Sequence, residues 1–155
     1  MISKFILGSI VALILMMGCS NVKTLRPVSP LESIPCSGLQ YPESGGMVFR
    51  DAGSWEAFWN RYCKVITGEG EKLPAPEVDF STQMLVGVFS GEKPTGGYSI
   101  SIQRVLDGPK RLVVEYLEES PPPDAMVTMA LTYPCQIIAV PRSDKSVEFK
   151  AVKKD

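Results

Sequence analysis

The spacing of apolar and polar positions changes along the chain, and each change marks an element. Phe5 to Met17 is an apolar run. Residues 20–35 have no hydrophobic period and contain Pro27, Pro30 and Pro35. Met47-Val48-Phe49 reads as a short strand entered from Ser44-Gly45-Gly46. From Ser54 the period becomes helical: Trp55, Phe58, Trp59, Tyr62 and Cys63 fall on one face of an α-helix. Ser54 is placed to cap it. Residues 67–78 are polar and turn-rich, a surface loop. Met84 to Phe89 is a strand of continuous apolar residues. Tyr98, Ile100 and Ile102 then alternate with polar residues, which gives a strand with one buried face. Asp107-Gly108-Pro109 signals a hairpin, and Leu112 to Leu117 returns as a strand. Pro121-Pro122-Pro123-Asp124 is a stiff break. Ala125–Thr132 and Cys135–Val140 read as strands separated by Tyr133-Pro134, and 146–152 as the last strand. Six to seven strands and one amphipathic helix predict an α+β domain. Its sheet is mainly antiparallel and sandwich- or barrel-like.

The densest turn signal lies between the two central strands, in Gly91-Glu92-Lys93-Pro94-Thr95-Gly96-Gly97-Tyr98. Pro94 fixes φ near −65°, and the glycine pair permits positive φ. The stretch reads as a hairpin that sets the register of its flanking strands. It either only turns the chain or also presents Lys93, Pro94, Thr95, Gly96, Gly97 and Tyr98 as a contact surface. Glu92 and Lys93 are expected to be solvated.

The apolar run 5–17 is shorter than the about 20 residues a membrane helix needs, and Lys4 precedes it. It predicts an export signal over residues 1–18. Leu15-Met16-Met17-Gly18-Cys19 resembles a bacterial lipobox, which implies cleavage before Cys19 and acylation of that residue. Stable anchoring takes more than one acyl chain. Ser20 favours the outer membrane over retention in the inner one. Residues 19–35 are then a lipidated tether, and 36–155 the globular domain.

Charge and composition narrow the chemistry. Sixteen Lys and Arg stand against 17 Asp and Glu, so the cationic footprint of a nucleic-acid binder is missing. The sequence has no histidine, which excludes Ser-His-Asp and Cys-His catalysis. No phosphate loop, nucleophile elbow or metal-ligand motif occurs, so no cofactor, metal or small-molecule substrate is expected. The candidate carboxylates are Glu92, Glu115, Glu118, Glu119 and Asp124. Each reads as a solvated charge, and Glu118 and Glu119 point to opposite faces of a strand. In an oxidising compartment, Cys36, Cys63 and Cys135 allow one disulfide and one free thiol. A Cys36–Cys63 bond tying the start of the domain to its helix is the expectation, though spacing leaves the other pairings open.

Trp55 and Trp59, Val78-Asp79-Phe80, the stretch Gly91–Ile100 and Leu131-Thr132-Tyr133-Pro134 together resemble the PrcB C-terminal domain family. The likeness runs from about Cys36 to Phe149. It implies a non-enzymatic, lipid-anchored envelope protein that binds another envelope protein, with a protease as the implied partner. Pro94-Thr95-Gly96-Gly97-Tyr98 also resembles one loop of chagasin-like inhibitors of cysteine peptidases. That likeness implies, as an alternative, a peptidase inhibitor acting through residues 94–98.

Overall fold

The computed structural model describes residues 25–154, in which the chain forms eight strands and one helix. The export signal over 1–18 and the lipidation at Cys19 lie outside the described residues. In chain order the elements are β1 (Arg26–Val28), β2 (Glu32–Ile34), β3 (Ser44–Phe49), α1 (Ala52–Tyr62), β4 (Gln83–Ser90), β5 (Ser99–Asp107), β6 (Arg111–Glu119), β7 (Cys135–Pro141) and β8 (Ser146–Ala151). They build two open four-stranded sheets, ordered β1-β5-β6-β8 and β2-β7-β4-β3. Every pairing is antiparallel except β6 with β8. The architecture is therefore a sandwich and not a closed barrel.

The continuous apolar run of β4 follows from its position. The strand lies in the middle layer, covered on both faces, and Met84 to Ser90 are all buried. Leu85 and Phe89 join a core with Trp55, Phe58 and Trp59 of α1. Met84, Val86 and Val88 pack instead with Val105, Leu112 and Val114 of the other sheet. β7 divides its residues the same way, Ile137 and Ala139 toward the helix, Ile138 and Val140 toward the other sheet. The order of layers is thus sheet, sheet, helix.

The helix covers the sheet with the stripe its period predicts, and Trp55, Phe58 and Trp59 are buried. Its cap is Asp51, not Ser54. Asp51 is extended, and its carboxylate accepts from the Ser54 N–H at 2.8 Å and the Ser54 hydroxyl at 2.9 Å. Both tryptophans donate their indole N–H to the following loop, Trp55 to the Pro76 carbonyl at 3.0 Å and Trp59 to the Leu73 carbonyl at 2.8 Å. These bonds satisfy the one polar atom of each buried ring and lay the loop against the core.

Three sequence expectations change. The 19–35 tether is part of the fold over 26–34: β1 pairs with β5 and β2 with β7, one strand for each sheet. Short strands of polar residues and prolines carry no internal hydrophobic period, so only their pairing reveals them. Residues 125–132 form no strand; they run as an irregular strap, bent at Met129 and Ala130, at one end of the sandwich. The 91–98 stretch is not a hairpin either. β4 and β5 lie in different sheets, so this stretch is the crossover between them.

Candidate docking surface

Crossing between sheets at one end of the sandwich sets the conformation of 91–98. Gly91 leaves β4 at φ +74°, and a Cβ there would sit 2.8 Å from the Pro42 carbonyl oxygen. Glu92 then donates its N–H to that oxygen. Gly97 enters β5 at φ +87°, and a Cβ there would meet Pro121 at 2.8 Å and Val127 at 3.0 Å. Glycine is required at both ends of the crossover.

Between these glycines, the crossover is bonded along its length to the strap 125–133. Lys93 and Thr132 exchange backbone bonds, Lys93 N–H to Thr132 O at 2.8 Å and Thr132 N–H to Lys93 O at 3.0 Å. Gly96 N–H donates to Thr128 O at 2.9 Å, and the Thr132 hydroxyl donates to Thr95 O at 2.8 Å. The Tyr133 hydroxyl donates to the Glu92 carboxylate at 2.6 Å, which raises the pKa of the phenol. The Lys93 ammonium lies 2.9 Å from Glu118 and 5.4 Å from the centre of the Tyr98 ring. Lys93 is thus half-buried and engaged, while Glu92 is exposed to solvent as expected and also accepts from Tyr133. Pro94 stays exposed at the tip, while Thr95, Gly96 and Tyr98 are half-buried.

The apolar exposure comes from the strap. Met126 is fully exposed, and Met129 and Leu131 are 85% and 59% exposed. Val127, between the methionines, turns inward onto Gly97. Crossover and strap therefore make one braced surface, polar bonds inside and flexible apolar side chains outside. Methionine suits such a surface because its unbranched, polarizable side chain adapts to irregular partners. The sequence points to 93–98 but not to Met126, Met129 or Leu131, whose apolar spacing imitates a strand. The signal that could have found them is Pro121-Pro122-Pro123 on one side and Pro134 on the other, which restrict ladder bonding around the segment.

Of the remaining candidate carboxylates, Asp124 is an exposed charge, and Glu115, Glu118 and Glu119 form ion pairs. Glu118 meets Lys93, and Glu119 meets Lys154 at 2.8 Å. Glu115 is buried on the outer face of β6, where its cross-strand neighbours are Arg104 and Lys150. It accepts from Arg104 at 2.6 Å and 2.8 Å, and from Lys150 at 3.3 Å. The Arg104 bonds foremost, then Lys150, outweigh burial and hold the Glu115 carboxyl below its usual range. An open hollow of about 740 Å³ adjoins it, also lined by Leu117, Val152 and Lys153. A carboxylate kept ionised by two cations does not serve as a general acid near neutrality. No group of three His, Cys, Asp or Glu residues that could hold a metal occurs among the described residues. The three described cysteines are free; Cys63 is buried at the end of α1, and Cys36 and Cys135 are half-buried.

Taken together, these features define an α+β sandwich domain with a helical cover and a braced apolar surface at one end. Residues 84–141 match the family described as PrcB C-terminal. The match opens in β4 and closes at the end of β7, so it contains the whole crossover and strap. It bears out the resemblance over this central part of the wider Cys36–Phe149 range. No curated protein and no solved structure matches the chain.

Proposed function

We propose that the domain is a non-catalytic docking module of a lipid-anchored bacterial envelope protein, associated with a protease complex. The observation that carries this reading is the crossover–strap surface. Five hydrogen bonds join the crossover to the strap, and the large apolar side chains exposed there are Met126, Met129 and Leu131. Burial of a methionine or leucine side chain in an interface yields about 1.5–3 kcal/mol, so three of them make an effective anchor. The likeness of 84–141 to the PrcB C-terminal family supports a protease complex as the setting. Acylation of Cys19 would hold the domain at the outer membrane. A peptidase-inhibitor role for 94–98 has less support, because Thr95 and Gly96 are half-buried and already bonded to the strap.

The test is co-purification from detergent-solubilised membranes. Met126→Asp/Met129→Asp should lose a protease-complex partner that the wild type retains. Lys110→Glu, in the hairpin at the opposite end of β5 and β6, should keep it. An unchanged partner set for the double variant removes the strap from the interface. Inhibition of a cysteine peptidase by the purified protein, abolished by Thr95→Arg, would favour the inhibitor reading.

A further inference from the structure

Two of the three described cysteines lie just beyond one end of the β2–β7 ladder. In the β2–β7 pairing Ile34 stands opposite Ile137. Continuing this antiparallel register by two residues on each strand sets Cys36 opposite Cys135. A step of two preserves the face, and both cysteines pack against the aromatic core that contains Ile34 and Ile137. The Cys135 sulfur lies 4.0 Å from the Cys36 carbonyl oxygen. Directly opposed residues of an antiparallel pair have Cα atoms about 4.5–5.5 Å apart. That range lies inside the about 4.4–6.8 Å that a disulfide spans.

We propose that Cys36 and Cys135, rather than Cys36 and Cys63, form the disulfide of this protein, stapling β2 to the central strand β7 and leaving Cys63 as a thiol. Cys63 is buried and committed to the end of α1, where its N–H donates to Trp59 O. Contact with the Cys36 side chain, and then burial, push the Cys135 thiol well above its ordinary range. The exchange can start from Cys36. Its thiolate attacks a sulfur of a disulfide donor, either a dithiol-disulfide oxidoreductase or oxidised glutathione. A mixed disulfide forms and the donor's other sulfur leaves as a thiolate. Cys135 then attacks the Cys36 sulfur and expels the donor's second sulfur. Two protons leave the cysteines, and two electrons reduce the donor disulfide to two thiols. The bond closes a loop through 99 positions of sequence, a long span whose restriction in the unfolded chain favours the folded state. This inference is independent of the docking function.

The full chain in detergent is incubated with oxidised glutathione, thiol-blocked and digested with trypsin without reduction. The expected product is Thr24–Arg50 linked to Leu112–Arg142, with Cys63 in Tyr62–Lys64 carrying the blocking group. The link should survive in Cys63→Ala and vanish in Cys135→Ser. Reduction should lower the unfolding temperature of wild type but not of Cys135→Ser. A link between Thr24–Arg50 and Tyr62–Lys64, glutathione adducts without a link, or three blocked thiols would each overturn the assignment.

Discussion

Adjacent residues of the same type can carry different constraints, as Gly96 and Gly97 do. Gly97 has φ +87°, and an added Cβ would press on Pro121 and Val127. Gly96 has no such φ, and its Cβ would sit 3.5 Å from Thr128, an ordinary contact. Left-handed backbone at a residue with a Cβ costs about 1–3 kcal/mol. Gly97→Ala should therefore lower stability by at least that order and shift the strap, whereas Gly96→Ala should be nearly neutral. Denaturant unfolding of the two variants checks this; equal losses would contradict it. The glycine pair is plain in the sequence, but only the path between the sheets tells which member is indispensable. Glu115 gives a second case. Its folded pKa is lowered from 4.5, so the unfolded chain binds its proton first as pH falls. Its contribution to stability is present above that unfolded value and is lost as pH drops through the lower folded one. Wild type should exceed Glu115→Gln in stability near neutrality, with the gap closing below about pH 4.5. A gap that widens on acidification would refute the pairing. Arg104 and Lys150 are 11 and 35 residues away in the chain, so neither partner is visible beside Glu115 in the sequence.

Among the elements, α1 was the most legible. Its period of 3.6 places Trp55, Phe58 and Trp59 on one stripe, and that stripe is buried. The cap was misplaced by three residues because Asp51, Gly53 and Ser54 all suit a helix start, and only the extended conformation of Asp51 decides among them. Trp59 touches both the sheet core and the loop carbonyl of Leu73. Trp59→Ala should cost about 3–5 kcal/mol, as large core truncations do. It should also raise hydrogen exchange in residues 72–80 beyond that in β6. If exchange there is unchanged, the indole does not hold the loop. The strap shows the reverse failure. Residues 125–132 have strand-like composition, but their hydrogen bonds go to the 91–98 crossover and not to a ladder. Composition records side-chain preference, and strand formation needs a neighbouring edge as well.

At the scale of the molecule, the allotment of strands to two sheets decides what each segment does. β1 and β2 are three residues each, yet each covers the edge of a longer strand, β5 in one sheet and β7 in the other. Open edges pair with other chains. Deleting residues 26–34 should therefore lower the unfolding temperature and produce concentration-dependent oligomers, read by light scattering. A monomer of unchanged stability would show that these strands are dispensable. The sequence alone determined the class: local periods of two and 3.6, together with turn residues, mark α1 and the strands β3 to β8 in order, because they depend on near neighbours only. The absence of histidine likewise bounded the chemistry without a structure. The tertiary structure decided which strands share a sheet, that 26–34 completes both sheets, and that 91–98 is a crossover braced by an exposed Met-Leu strap. Those facts rest on backbone pairing between residues far apart in the chain, such as Lys93 with Thr132 and Ile34 with Ile137. No local pattern encodes which distant edge a backbone will meet.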